Sequence, residues 1–139
     1  MEMTREELES LMVDSAHNAV TTTREEFGIE LDFSQDSINQ VDEVLLRWLE
    51  RYKSEALEEQ AVFTLCNIYG AYVGEVFRKH IGGHWVYDDT NPDAPTIMLE
   101  YAGKTYAFAA TCYQRLVNDN QISVQKYYEL AVNKATPTH

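Results

Sequence analysis

The sequence predicts an α+β fold, with a helical N-terminal half and a small antiparallel sheet with flanking helices in the C-terminal half. Apolar residues recur at helical spacing over most of residues 5–81. After Gly82-Gly83 the spacing changes to the alternation typical of strands. A chain of 139 residues without repeats or linker-like segments is near the commonest size for one domain. We predict a single domain over residues 1–139, with a frayed tail from about residue 135.

The first helix is bounded by capping residues. Thr4 suits an N-cap, and Glu6 and Glu7 follow in the first turn, where the helix dipole favours acid. Gly28 can end the helix. The stripe at helical spacing consists of Leu8, Leu11, Met12, Ser15, Ala16, Ala19, Val20, Thr23 and Phe27. Residues 29–33 alternate between apolar and acidic, which predicts a short extended connector or a strand.

The second helix is predicted to start at Ser34 or Asp36. Its apolar stripe consists of Ile38, Val41, Val44, Leu45, Trp48, Leu49 and Tyr52. The opposite, polar arc holds Asp42, Glu43, Arg47, Glu50 and Arg51, with Glu43 and Arg47 spaced to form an i,i+4 ion pair.

The third helix is predicted to be central. Ser54 is its expected cap, with Glu55, Glu58 and Glu59 in the first turns. Residues 61–81 are apolar around most of the helix circumference, which indicates packing on two sides. The remaining polar stripe is formed by Gln60, Thr64, Asn67, Ala71, Glu75 and Arg78. Glu75 and Arg78, spaced i,i+3, are expected to pair with each other or with the first strand.

Gly70 and Gly74 lie one turn apart inside this helix. Each costs about 1 kcal/mol relative to alanine, so an offsetting interaction is expected. We predict close approach by a strand or another helix, with a ligand against the bare backbone as the alternative.

The second half is predicted as a strand, a loop, a hairpin and two helices. The strand covers residues 84–87 and the loop covers 88–95. The hairpin consists of a strand at 96–101, a turn at 102–104 and a strand at 105–108, and the fourth helix covers about 109–117. Residues 118–120 form a turn, and Ser123 caps the last helix. Five tyrosines in this half suit either an interface or the outer layer of a core: Tyr101, Tyr106, Tyr113, Tyr127 and Tyr128.

The acid is concentrated in the first part of the chain. Residues 1–60 hold 16 Asp/Glu against 5 Lys/Arg, and residues 61–139 hold 7 against 6, within a total net charge of −12. Phosphate recognition needs clusters of Lys/Arg, so nucleic acid and anionic membrane are excluded as expected partners. A basic partner is favoured electrostatically, although acidic proteins in general need no partner.

The chain's location is predicted as cytoplasmic. The N-terminus has no signal-peptide pattern, and no apolar run approaches the roughly 20 residues that span a bilayer. Cys66 and Cys112 match no zinc or redox spacing, and we expect two buried free thiols, with a disulfide as the lesser alternative.

We predict no metal and no cofactor. His80 and His84 have a spacing that can chelate zinc, but Gly82-Gly83 breaks the helix between them. Asp32, Ser34, Asp36 and Glu43 match four positions of a calcium loop, but Ser37 replaces the required glycine. Ser34 and Asp36 are interpreted as helix caps.

From the central helix onward the chain resembles a group of small bacterial proteins of uncharacterised function. The helix motif G-x-Y-x-G-E-x-x-R is carried by Gly70, Tyr72, Gly74, Glu75 and Arg78, and G-G-x-W at its exit by Gly82, Gly83 and Trp85. A proline-bearing loop with Pro95 follows, then R-L-x-N at Arg115, Leu116 and Asn118, and S-x-x-x-Y-Y at Ser123, Tyr127 and Tyr128. The resemblance implies an α+β fold and a bacterial or phage source, and it supplies no activity. Asp119 stands where the pattern has glycine.

The leading hypothesis is a non-enzymatic acidic protein that neutralises a basic protein partner, in the manner of a bacterial immunity protein against a toxin. The expected contact residues are Glu25, Glu26, Glu30, Asp32, Asp36, Asp42, Glu43, Glu50, Glu58 and Glu59. The alternative is an enzyme or small-molecule binder with a site at the exit of the central helix, formed by Glu75, Arg78, His80, His84 and Trp85. A third possibility is a structural or adaptor protein that self-associates.

Overall fold

The structure, a computed structural model, describes residues 4–55, 58–88, 96–118 and 123–135. The elements are α1 (Arg5–Phe27), α2 (Ser37–Glu55), α3 (Glu59–His80), β1 (His84–Asp88), β2 (Thr96–Tyr101), β3 (Lys104–Tyr106), α4 (Phe108–Asn118) and α5 (Val124–Ala135). The predicted α+β fold class is confirmed. Of the loop predicted at 88–95, Asp88 belongs to β1 and residues 89–95 lie outside the described residues. Most of the turn at 118–120 and the tail beyond Ala135 also lie outside them.

Helix α1 begins and ends where its caps predict. Thr4 and Glu7 form a capping box in which each side chain accepts a hydrogen bond from the other residue's backbone N–H. Gly28 has φ +68°, and its N–H donates to the Arg24 carbonyl at 2.9 Å. The intervening stripe is buried at Leu8, Met12, Ala16, Ala19 and Thr23.

The connector between α1 and α2 forms no strand over residues 28–36. Phe33 has φ +60°, which breaks the extended conformation, and its N–H donates to the Tyr72 hydroxyl at 2.8 Å. Ser34 acts as a cap, as predicted, because its Oγ accepts from the Ser37 N–H. The helix itself begins at Ser37, after Asp36.

The prediction that Ser54 caps the third helix is wrong. Helix α2 continues through Glu55, so Ser54 lies in its last turn. Helix α3 begins at Glu59, with Glu58 as an N-cap whose side chain makes no capping hydrogen bond. The start of α3 therefore lacks the local signal by which sequence patterns locate helix ends.

Helix α3 is central, as predicted. It packs against α1 on one side and α4 on the other, while α2 lies against α4 and α5. Two residues differ from the predicted faces of α3, since Ala71 is buried and Phe63 is exposed. Phe63 stacks on Tyr113 with the rings 5.5 Å apart.

The two glycines of α3 mark close approaches. A Cβ at Gly70 would lie 2.5 Å from the Cα of Ala109, so α4 crosses directly over the backbone at this point. At Gly74 the indole ring of Trp85 occupies the space that a Cβ would need. The prediction of backbone approach by another element is confirmed at Gly70, and Gly74 instead accommodates a side chain.

The sheet has the order β1-β2-β3, with both pairs antiparallel. Tyr101 pairs with Lys104 around Ala102 and Gly103, which both have positive φ, as a two-residue type I′ turn requires. Gly82 and Gly83, at φ +131° and +104°, separate α3 from β1. The hairpin is confirmed, although Phe108 belongs to α4 and not to the third strand.

The hydroxyl of Tyr69 is hydrogen-bonded inside the core. Tyr69 OH lies 2.8 Å from Thr23 Oγ1 and accepts from Trp48 Nε1 at 3.1 Å. Among the five tyrosines of the second half, Tyr106 and Tyr128 are buried and the other three pack against the core, which favours the core reading. Cys66 and Cys112 are buried free thiols, as predicted.

Candidate functional site

Three of the ten predicted contact acids are paired with arginines of the same chain. Glu26 accepts from Arg51 at 2.6 Å, Glu30 from Arg24 at 2.9 Å, and Glu43 from Arg47 at 3.1 Å, all at the surface. The guanidinium groups of Arg47 and Arg51 also lie over the ring of Phe27. The charges of these three acids are therefore compensated within the chain.

Asp42 is not on the solvent-facing arc where the sequence places it. Its side chain is buried, with a residue exposure of 9%. Oδ1 accepts from the Val124 N–H at 2.8 Å, and Oδ2 accepts from the Gln125 N–H at 2.9 Å. A carboxylate placed on the first N–H groups of α5 satisfies donors that the helix cannot satisfy itself. Asp42 therefore links α2 to α5, and its buried carboxylate is not exposed to contact a partner.

Asp32 is exposed and belongs to a local turn. Its Oδ1 accepts from the Ser34 hydroxyl at 2.6 Å and from the Ser34 N–H at 3.1 Å. These hydrogen bonds stabilise the carboxylate and lower the pKa of Asp32 below its usual value. Asp32 is thus held ionised, but part of its hydrogen-bonding capacity is used by its own loop.

Five predicted contact acids are exposed and make no ion pair with any other described residue: Glu25, Asp36, Glu50, Glu58 and Glu59. Glu25 and Glu50 flank the Glu26–Arg51 bridge, each one residue before a partner of that bridge. Glu58 and Glu59 lie at the start of α3. We call these five residues the uncompensated acids.

At the exit of α3, three of the five residues of the alternative site meet. Glu75 Oε2 accepts from Arg78 at 2.7 Å and from Trp85 Nε1 at 2.8 Å, and Arg78 also lies 3.7 Å from Glu9. The predicted Glu75–Arg78 pair is confirmed. Since Glu75, Arg78 and Trp85 bind one another, this cluster ties α3 to β1 and to α1.

The two histidines make separate contacts. His80 Nε2 donates to the Phe33 carbonyl at 3.0 Å, and His84 Nε2 lies 3.2 Å from Glu100. Within the residues that the structure describes, no group of three or more metal-ligating side chains is brought together. The alternative site stays a prediction, and none of its five residues lines the apolar cleft that α1, α3 and α4 form with the sheet.

An apolar cleft of about 360 Å³ was not anticipated from the sequence. It is lined by Leu11, Met12, Ser15, Asn67, Tyr87, Ile97, Ala107, Ala109 and Ala110, from α1, α3, the sheet and α4. Periodicity placed Leu11 in the buried stripe of the first helix, yet 41% of Leu11 is exposed. The only indication in the sequence that Leu11 could be exposed was its position at the edge of this apolar stripe.

The comparisons with known proteins found no match to a family model, to a curated protein or to a solved structure. The resemblance to small bacterial proteins therefore stays a prediction. No helix in the described ranges combines the length and hydropathy of a bilayer-spanning segment.

Proposed function

We propose that this chain is a non-enzymatic acidic binding protein that neutralises a basic protein partner. The observation that carries the proposal is the set of uncompensated acids. They stand on or beside helices whose other faces are buried, so their charges have fixed positions. Fixed charge of one sign is what electrostatic complementarity to a partner requires.

The paired acids have a different role from the uncompensated ones. Glu26, Glu30 and Glu43 already have arginine partners, and a basic protein would have to displace these to bind them. An exposed ion pair contributes only about 0.2–1 kcal/mol. Replacing the arginine by a basic group of the partner therefore costs little free energy, but it also adds little to the binding free energy. The main attraction is therefore expected at Glu25 and Glu50 and at the start of α3.

Electrostatic steering is the proposed mechanism of encounter. A surface with a net excess of one charge raises association rates by about 10–10³ fold at low ionic strength. A bacterial immunity protein against a basic toxin is the concrete form we propose, in which acidic side chains cover lysines and arginines around the toxin's active site.

Capture from the native host tests this function. The full chain is immobilised, incubated with lysate at low salt and eluted with high salt, and the eluted proteins are identified by mass spectrometry. We expect one protein rich in Lys/Arg. It is then purified and its affinity for the chain is measured directly.

A charge-matched pair of variants makes the test specific to location. Glu25→Gln/Glu50→Gln removes two uncompensated charges, and Glu100→Gln/Glu129→Gln removes two charges from β2 and α5. We expect the first variant to weaken binding about tenfold or more and the second to change it little. Equal effects of both variants, or capture of no basic protein, would contradict the proposal.

A further inference from the structure

Three of the large exposed apolar side chains lie at or next to the cleft, whereas the fourth, Leu130, lies elsewhere on α5. The structure describes four large hydrophobic residues with substantial exposure: Leu11 at 41%, Tyr87 at 45%, Phe63 at 46% and Leu130 at 52%. Leu11 and Tyr87 line the 360 Å³ cleft. Phe63 precedes the cleft residue Asn67 by one turn of α3, and its ring stacks on Tyr113, which follows Ala110 by one turn of α4. The Phe63–Tyr113 pair therefore lies one helical turn beyond the cleft residues of α3 and α4, and we call the cleft together with this pair the apolar groove.

The α1 wall of this groove has an acidic lip. At 100° per residue, Glu7 and Asp14 lie within roughly 60° of Leu11 on one side, and Leu8 and Met12 lie on the other side. Leu8 and Met12 are buried, whereas Glu7 and Asp14 are exposed. None of the nine residues that line the cleft is charged.

These features identify the chemistry of an occupant. Contiguous exposed apolar surface with a polar rim marks interaction sites, and helical walls suit a helix laid along the groove. A partner helix with an acidic edge would be repelled by Glu7 and Asp14, whereas a basic edge is attracted. We propose that this groove docks a basic amphipathic helix of the partner, through its apolar face on Leu11, Tyr87 and Phe63.

This inference deepens the proposed function and rests on it, because it assigns the part of the basic partner that makes apolar contact. The uncompensated acids supply long-range attraction, and the groove supplies buried area. Burial of apolar surface adds short-range attraction after the encounter, which slows dissociation once the partner is seated.

A synthetic peptide tests the groove without the natural partner. The probe is a fluorescently labelled helical peptide with leucines at i, i+3, i+4 and i+7 and lysine or arginine elsewhere. A second peptide keeps the leucines and replaces the basic residues with glutamate. We expect the full chain to bind the basic peptide and not the acidic one.

Variants locate the binding. Leu11→Ser and, independently, Phe63→Ser are each expected to weaken binding several-fold, and Leu130→Ser is the matched control on α5. Asp14→Asn should also weaken binding, with Glu129→Gln as its control. Circular dichroism and thermal unfolding check that each variant is folded.

Three results would overturn the inference: equal losses in the Leu11 and Leu130 variants, equal binding of the two peptides, or self-association of the free chain that Leu11→Ser abolishes. The last result would assign the groove to a second copy. The acid-to-amide variants at Glu25 and Glu50 test the proposed function with the captured protein, so the two proposals can fail separately.

Discussion

At the scale of single residues, Asp42 has a different role in the folded protein from the one that its sequence position predicts. Its sequence position suggests a surface charge, but its two carboxylate oxygens hold the first turn of α5. No local pattern can reveal this, because the N–H groups that it binds are 82 and 83 residues away.

Removing this carboxylate should destabilise the protein. We expect Asp42→Ala to lower the free energy of unfolding by about 1–3 kcal/mol, since one buried and one half-buried N–H group lose their acceptor. Glu43→Gln, at the exposed neighbouring position, should cost less than about 1 kcal/mol. Urea unfolding of both variants checks this, and equal stability of the Asp42 and Glu43 variants would contradict the capping role.

The structure predicts whether alanine at position 70 stabilises or destabilises the protein. Alanine is normally favoured over glycine within a helix by about 1 kcal/mol, but here its Cβ would meet the backbone of Ala109. We expect Gly70→Ala to destabilise by about 1–3 kcal/mol. Adding Ala109→Gly should not restore stability, because the Cα and N of residue 109 are what the new methyl group meets. A Gly70→Ala variant more stable than the wild type in urea unfolding would refute the close crossing.

At the scale of elements, the sequence predicts helices best where their ends carry a local signal. Thr4, Gly28, Gly82 and Ser123 bound helices as expected, since each acts through its own neighbouring backbone. The start of α3 was misplaced because Glu58 caps it without a side-chain hydrogen bond. The connector between α1 and α2 forms no strand because Phe33 takes a left-handed conformation in contact with Tyr72, a tertiary partner.

In the candidate site, too, contacts within one helix could be predicted from the sequence, whereas contacts between elements could not. The Glu43–Arg47 and Glu75–Arg78 pairs were predictable from helical spacing. The Glu26–Arg51 bridge, the burial of Asp42 and the apolar groove depend on which elements meet, and periodicity carries no information on that.

The junction of α3 and β1 depends on Glu75. We expect Glu75→Gln to keep a carbonyl acceptor for Trp85 Nε1 but to lose the ion pair with Arg78. Glu75→Ala loses both and should be the less stable of the two, by about 1 kcal/mol. Trp85 fluorescence in a Trp48→Phe background reports the indole environment, with a larger shift expected for Glu75→Ala. Identical spectra and stabilities would show that the cluster does not hold the junction.

At the scale of the whole molecule, the buried thiols and phenols make stability sensitive to alkali. Burial raises the pKa of Cys66 from 9.0 to about 12, and it also raises the pKa values of Cys112, Tyr69 and Tyr72. In the unfolded chain these groups ionise at their usual values. Their stabilising contribution is therefore complete below about pH 9 and is lost as the pH rises toward 12.

We expect the free energy of unfolding to fall between about pH 9 and pH 10.5, by up to about 1.4 kcal/mol per pH unit for each such thiol. Cys66→Val should make the fall shallower. Urea unfolding at a series of pH values measures this dependence, and a stability that stays constant over the range would contradict the burial of these groups.

The charge distribution is the other property of the whole molecule. Folding neutralises part of the acidic first half through arginine pairs and buries Asp42, and it leaves the uncompensated acids at fixed positions. The central claim is that these acids attract a basic partner.

The association rate of the captured basic protein, measured by stopped-flow fluorescence over a range of ionic strength, tests this claim most directly. We predict that the rate constant falls steeply with added salt, and that Glu25→Gln/Glu50→Gln lowers both the rate and its salt dependence, while Glu100→Gln/Glu129→Gln changes neither appreciably. An association rate that is independent of salt, or that both variants lower equally, would contradict it.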